Sequence, residues 1–332
     1  MQASAIAHAN IALVKYWGKR DAVLNLPAVG SISMTLKDLF TQTQIEFRKE
    51  LAEDRLILNG QPAEAPATAR VSRFLDMIRR KAGISRFANV ESFNNFPTGA
   101  GLASSASGFA ALALAGAAAA NLNLSPKELT ILARQGSGSA ARSLFGGFVE
   151  MKKGESTDGS DAFAMQLYDE NYWQLDMLIL ITSDAPKAIG STEGMTLTAR
   201  TSPYYSAWVQ SSRDDLAKMR EALAAKDFEQ VGEISEFSCL KMHGLAMSAQ
   251  PGILYWNGVT VDLIHEVRQL RSQGTPAYVT IDAGPQVKVL TLPEYAGALV
   301  TRFLSFPGVQ SIVHTTVGPS ARLTDGEKQV ID

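Results

Sequence analysis

Cysteine occurs once in the 332 residues, at Cys239, which excludes an internal disulfide and a thiolate zinc cluster. A reducing compartment is the natural setting for such a chain, and a cytoplasmic location is expected. Histidine is scarce too: His8, His243, His265 and His314 include no pair at a helical spacing that presents a metal. Residues 265–269 read H-E-V-R-Q, with Gln269 where the metalloprotease signature needs its second histidine. Long apolar runs are missing. The longest, residues 109–120, falls short of the roughly 18–20 residues that span a bilayer, so no membrane span is expected. In residues 1–20 the charges of Lys15, Lys19 and Arg20 follow the apolar stretch instead of preceding it, so no secretory leader is expected. Finally, 31 basic side chains against 33 acidic ones leave a net charge of −2, too little to draw the protein onto nucleic acid or anionic lipid. Any anion site has to be local.

What is present is a packed globular chain, 46% apolar and 19% charged, long enough at about 150 residues per domain for two domains. Forty-five alanines require closely packed helices. Apolar alternation predicts strands over 3–14, 31–36, 42–47, 89–93 and 144–151, and a fully apolar central strand over 175–181. One helical face recurs over 70–81, and an alanine-rich helix starts near Ser104. Ser125-Pro126-Lys127-Glu128 carries the cap, first-turn proline and third-position glutamate of a helix that runs to about Arg134 and stops at Gly136. The second half predicts helices over 204–225, 227–246, 259–273 and 293–304, separated by strands at 276–282, 285–291 and 309–315. Both halves mix strand and helix without strict alternation, so the fold class is α+β, divided near Trp173 into 1–173 and 174–332.

Four segments can carry chemistry. At 94–108, N-N-F-P-T-G-A-G-L-A-S-S-A-S-G runs from a strand into the alanine-rich helix. Its glycines admit a ligand to the backbone, and its serines add hydroxyls to the free amides and positive dipole of the helix start, which together cradle a phosphate. A loop with an ordinary serine cap is the alternative. Residues 136–149, G-S-G-S-A-A-R-S-L-F-G-G-F-V, satisfy a loosened dinucleotide fingerprint without the βαβ unit it requires. Arg142 there offers a planar fork to a carboxylate or phosphate, or else pairs with a surface carboxylate. Residues 10–21, N-I-A-L-V-K-Y-W-G-K-R-D, deliver a basic, aromatic cluster suited to a diphosphate, or a solvated turn beside a buried Trp17. In I-D-A-G-P at 281–285, Asp282 ends an apolar strand as a catalytic carboxylate or as the cap of a turn.

Together these motifs, in this order and at this spacing, resemble the GHMP kinase superfamily and, within it, the diphosphomevalonate decarboxylase family. The resemblance spans nearly the whole chain. It implies a GHMP kinase fold, with an N-terminal lobe like domain 2 of ribosomal protein S5 and a ferredoxin-like C-terminal lobe across a deep cleft. It further implies that ATP phosphorylates the 3-hydroxyl of mevalonate 5-diphosphate, after which phosphate and carbon dioxide leave to give isopentenyl diphosphate in the mevalonate pathway. Carried onto this sequence, Asp282, Lys15 and Arg142 are the implied catalytic residues, Asp282 orienting or deprotonating the hydroxyl and Arg142 gripping the carboxylate. Tyr16, Lys19, Ser137, Ser139 and Ser191 are implied at the diphosphate end. Pro97, Gly99, Gly101, Leu102, Ala103, Ser104, Ser105 and Ser107 are implied around the ATP phosphates, with Mg2+ as charge neutraliser held largely by phosphates and water. A homodimer is implied as well.

Two positions depart from the family pattern. Val29-Gly30-Ser31-Ile32-Ser33 replaces N-S-S-I-S, and Gln286 stands where asparagine is usual. The resemblance leaves open mevalonate 5-phosphate as substrate, phosphorylation without decarboxylation, and a non-catalytic ligand sensor of the same fold.

Overall fold

A computed structural model describes residues 1–96, 104–185 and 188–325. The chain begins with β1 (Gln2–Val14), a small hairpin of β2 (Lys19–Asp21) and β3 (Leu26–Pro27), and the long β4 (Ser31–Arg48). The strands expected at 31–36 and 42–47 are thus one. Lys37 and Asp38 are exposed and interrupt the apolar pattern without ending the strand. β1 pairs antiparallel with β4, and a register shift between His8 and Asn10 exchanges the two faces. Ala5 and Ala7 therefore enter one core, Ile11 and Leu13 another.

Next come β5 (Arg55–Leu58), β6 (Gln61–Pro62), α1 (Ala65–Ala82), β7 (Phe87–Asn94), α2 (Ser104–Ala119) and α3 (Pro126–Gly136). Helix α1 starts ahead of its periodic segment because Pro66 suits a first turn, and it ends on Gly83 at φ 64°. The capping box of α3 forms as expected: the Ser125 hydroxyl accepts from the Glu128 amide, and the Glu128 carboxylate from the Ser125 amide at 2.9 Å. Alanines let α2 pack nearly all round, and a Cβ at its Gly116 would lie 2.5 Å from Ile78 of α1. A 3₁₀ stretch, Gly138–Leu144, precedes β8 (Phe148–Met151), so the strand expected from 144 begins later; β9 (Ala164–Tyr168) follows.

The second half holds β10 (Asp176–Ile181), α4 (Ser191–Thr201), α5 (Tyr205–Ala225), α6 (Phe228–Met247), α7 (Gly258–Ser272), β11 (Ala277–Ile281), β12 (Val287–Thr291), α8 (Pro293–Leu304), β13 (Ser311–Thr316) and β14 (Arg322–Thr324). The expected helices and strands are all there; α4 and β14 are additional. Besides the β2–β3 hairpin, two larger sheets form among the described residues, both mixed with helices in the α+β manner. One runs β14-β1-β4-β7-β5-β6, with β8 and β9 attached through β4; the other runs β11-β12-β10-β13. β14 thus returns to the sheet that the chain began.

Three of the five apolar cores among the described residues hold these layers. Helices α1, α2 and α3 cover one face of the larger sheet. Its other face, around Ile11, Leu13 and Met34, meets Met177 and Ile179 of β10 together with α5 and α6. Helices α7 and α8 close the far side of the smaller sheet. The end of β1 and the end of β11 consequently come together where the two sheets face each other. No helix among the described residues is long and apolar enough to cross a membrane.

Candidate active site

β11 is an edge strand, and α6 satisfies its outward groups. Glu236 accepts from the Val279 amide at 3.1 Å, Cys239 Sγ from the Ile281 amide at 3.1 Å, and His243 Nε2 lies 3.2 Å from the Ile281 carbonyl. The strand end is pinned, and the next residue is Asp282. From the same helix, Ser238 Oγ accepts from the Lys15 amide at 2.9 Å, which fixes the residue that follows β1. Lys15 Nζ donates to Asp282 Oδ1 at 2.6 Å, and Lys288 Nζ stands 3.5 Å from Oδ2. Both lysines are 1% exposed and the carboxylate 26%. Burial opposes the charge on Asp282, yet Lys15 and then Lys288 more than offset it and hold the carboxyl well below the usual carboxylate range. Its side chain is thus engaged with cations and does not cap the turn. Burial pushes the Cys239 thiol up to about 11 and His243 down to about 3, so both stay neutral beneath the site.

Arg142 projects from the 3₁₀ stretch with a different set of partners. Its Nε donates to Asn10 Oδ1 at 3.1 Å and its Nη1 to Ser31 Oγ at 2.6 Å. Asn10 in turn donates to the Ser139 carbonyl at 3.2 Å and to Ser143 Oγ at 2.7 Å. The arginine is buried, and it makes no ion pair among the described residues, which removes the surface-pair alternative. Burial brings its pKa down to about 10, against the pull of Asp282 and Tyr16, so it stays charged at neutral pH. Nη2 retains no protein partner among the described residues. Nor does Tyr16 Oη, whose phenol burial pushes upward.

The glycines around Arg142 serve aromatic side chains. A Cβ at Gly138 would lie 2.5 Å from Tyr16 Oη, and one at Gly136 would lie 2.2 Å from Phe109 Cδ1, so the apparent dinucleotide fingerprint is packing. Hydroxyls form a row alongside: Ser105 Oγ is 3.5 Å from Ser137 Oγ, which is 3.3 Å from Ser139 Oγ.

These groups line one cavity of about 200 Å³ between the lobes. Lys15, Tyr16, Lys19, Arg142 and Asp282 are on its wall, as are Ser104, Ser105, Ser137, Ser139 and Ser191. Among the described residues, four cations, Lys15, Lys19, Arg70 and Arg142, share this wall with one carboxylate, that of Asp282. A second cavity of about 240 Å³ adjoins it through Arg70, Ser104 and Ser105, and is otherwise lined mostly by apolar side chains such as Leu56, Val71, Val90 and Phe109, with Thr43, Ser92 and Asn94 among them. Ser107 departs from expectation: it is fully buried, its Oγ 2.7 Å from Thr41 Oγ1, and it reaches neither cavity. Pro97, Gly99, Gly101, Leu102 and Ala103 lie outside the described residues.

Three residues of the site escaped the sequence reading. Asn10 was legible as an amide inside an apolar strand, Arg70 sits beside the apolar face of α1, and Lys288 is hidden in V-K-V-L. The two family departures also have explanations. A Cβ at Gly30 would lie 2.7 Å from Leu216 Cδ1 of α5, so this position packs the lobes together while the adjacent Ser31 keeps its bond to Arg142. Gln286 accepts from the Thr182 amide at 2.7 Å and donates to the Ser183 carbonyl at 2.6 Å, tying the Asp282 turn to the end of β10.

Residues 7–164 match the diphosphomevalonate decarboxylase-like N-terminal domain, and residues 177–329 match the mevalonate 5-diphosphate decarboxylase C-terminal domain. The diphosphomevalonate decarboxylase of Gibberella zeae is 38% identical over 320 residues, covering 91% of this chain and 84% of the relative. That of Saccharomyces cerevisiae is 38% identical over 312 residues, covering 88% and 78%. Among solved structures, MDDEF in complex with MVAPP, AMPPCP and magnesium is 42% identical, with a TM-score of 0.92 over 98% of this chain and 99% of that one. The mevalonate diphosphate decarboxylase of Staphylococcus aureus is 37% identical, with a TM-score of 0.92 over 98% of each.

Proposed function

The chain belongs to the diphosphomevalonate decarboxylase family, and we propose that its interlobe cleft is where ATP drives the decarboxylation of mevalonate 5-diphosphate to isopentenyl diphosphate. The observation that carries this reading is the cationic wall: Arg142 without a counter-ion stands in the same cavity as an Asp282 held ionised by lysines. A substrate bearing a carboxylate and a diphosphate supplies the missing negative charge at both ends.

Asp282 is assigned to orient the 3-hydroxyl. A carboxyl held so acidic is a weak base toward a tertiary alcohol, so its contribution is an accepted hydrogen bond that aims the oxygen at the γ-phosphorus of ATP. Lys15 supplies positive charge beside that oxygen as the new P–O bond forms and the bond from the γ-phosphorus to ADP breaks, and the hydroxyl proton passes along its hydrogen bond to Asp282 once attachment to phosphorus has made it acidic. Ser104 and Ser105, at the start of α2, meet the triphosphate with the helix-start amides and the helix dipole. The largely apolar cavity beyond them, with Thr43, Ser92 and Asn94 on its wall, suits the nucleoside base. Among the described residues no three His, Cys, Asp or Glu side chains converge on a metal position. The donors here are serine hydroxyls, which fit magnesium that is held mainly by phosphates and water. Bound there, Mg2+ neutralises phosphate charge during transfer.

Arg142 then holds the carboxylate through its open Nη2, with Nε and Nη1 fixed by Asn10 and Ser31. A carboxylate kept antiperiplanar to the 3-phosphate loses carbon dioxide as the phosphate leaves, and its C–C electron pair becomes the new double bond. Tyr16, Lys19, Ser137, Ser139 and Ser191 are assigned to the diphosphate end. The division at residue 173 places Lys15 and Arg142 in one lobe, Ser191 and Asp282 in the other. A homodimer in the cytoplasm completes the reading, with a two-chain species expected in sedimentation. The activity test is direct: ATP, Mg2+ and mevalonate 5-diphosphate should release ADP, phosphate and carbon dioxide in equal amounts, with a higher kcat/KM than mevalonate 5-phosphate. ADP without carbon dioxide reduces the enzyme to a kinase.

A further inference from the structure

Lysine is an unusual residue for position 288. β12 lies inside the smaller sheet, between β11 and β10, with Lys288 opposite Thr280 and Ile179. Side chains alternate along a strand, so Val287 and Val289 go to the α7–α8 core, while Lys288 shares its face with Leu290, whose core is the interlobe one. Thr280 and Asp282 are two residues apart on the neighbouring strand and its extension, so the same alternation brings the carboxylate diagonally to Lys288. At 1% exposure the ammonium has lost nearly all contact with solvent. An apolar residue of equal length serves packing there at least as well, because desolvating a cation is unfavourable even beside an anion. Burial lowers the pKa of Lys288, and Lys15 lowers it further, against the pull of Asp282.

Two cations on one carboxylate make sense for a group that must stay fixed while one of them works. Lys15 occupies Oδ1 and Lys288 lies nearest Oδ2. If Lys15 alone neutralised Asp282, turning its charge toward the attacking oxygen would leave a partly buried carboxylate uncompensated. We infer that Lys288 is a positioning residue for phosphoryl transfer: it holds Asp282 in orientation from the Oδ2 side and frees Lys15 to face the reacting oxygen. It acts through Asp282 and lies off the wall of the substrate cavity. This rests on the proposed role of Asp282.

The test is a double-mutant cycle read in steady-state kinetics. Lys288→Met, which keeps the length of the stem, should lower kcat about 10- to 100-fold while KM for ATP and for mevalonate 5-diphosphate stays within about threefold. In an Asp282→Asn background the same substitution should change the residual kcat by less than about twofold, since the group it acts through is gone. Lys288→Gln repeats the measurement with a polar, uncharged side chain should the methionine variant fail to fold, and thermal midpoints identify which variants fold. A kcat within about twofold of the parent enzyme in a folded variant overturns the inference, as does an equal loss in both backgrounds or a loss confined to KM. If Asp282→Asn itself keeps the parent kcat, the proposed function of Asp282 fails instead.

Discussion

Asp282, partly buried, and Arg142, fully buried, are charges in one cleft, and they are compensated in opposite ways. Asp282 has a lysine beside each oxygen, so its charge is more than balanced before any ligand arrives. Arg142 has an amide oxygen and a hydroxyl, neutral acceptors that fix its plane without cancelling its charge. One site is finished in the resting protein; the other awaits an anion. On the proposed roles, an orienting group held rigid and a binding group left electrostatically open let ligand charge act on Arg142 and leave Asp282 undisturbed.

That contrast can be broken in several places. Asp282→Asn should reduce kcat about 10³-fold with little change in substrate affinity, measured by steady-state kinetics and calorimetric titration. The same substitution should lower unfolding stability by about 3 kcal/mol in denaturant titrations, because two buried ammonium groups lose their partner. Its pH dependence has a definite sign. The folded carboxyl titrates below its unfolded value, so the stability it contributes is fully present above about pH 4 and is lost only in stronger acid as the folded group protonates. The stability gap between parent and variant should therefore stay level from neutral pH down to about 4 and narrow below it. Arg142→Lys should cut kcat/KM about 100-fold, since a point charge replaces the planar fork that Asn10 and Ser31 hold. In contrast with Asp282, it should change the stability of the unliganded protein by less than about 1 kcal/mol. The smallest effect belongs to Ser107→Ala, which breaks the bond to Thr41 at a cost of about 1 kcal/mol in stability and leaves turnover intact.

How far the sequence revealed this arrangement differs residue by residue. Lys15, Arg142 and Asp282 stand at the ends of strands or in short polar turns, where a charged side chain next to apolar alternation is conspicuous. Lys288 is not conspicuous, because alternation in V-K-V-L reads as one exposed face, whereas both faces of this sheet are covered. Ser107 misled in the other direction. It continues a serine-rich helix start, but the turn of the helix aims it at Thr41 and away from the cleft. Helix α4 was missed because four of its 11 residues are threonine and one is glycine, residues that favour helix weakly. Tertiary contacts hold it: Trp17 Nε1 donates to Thr198 Oγ1 at 2.8 Å, and a Cβ at Gly194 would lie 2.6 Å from Tyr255 Oη. β14 carries only three residues and takes its register from β1, more than 300 positions earlier, which no local pattern can announce. The capping box of α3, by contrast, depends on four consecutive residues and was legible in full.

The most direct test of the contrast is calorimetric binding of mevalonate 5-diphosphate and of isopentenyl diphosphate to the parent protein and to Arg142→Met. The two ligands share a diphosphate, and only the first carries a carboxylate. If Arg142 is the open cation that receives that carboxylate, the substitution weakens mevalonate 5-diphosphate about 100-fold and leaves isopentenyl diphosphate within about twofold. Equal weakening of both ligands would place Arg142 at the diphosphate and contradict the division of labour between Asp282 and Arg142.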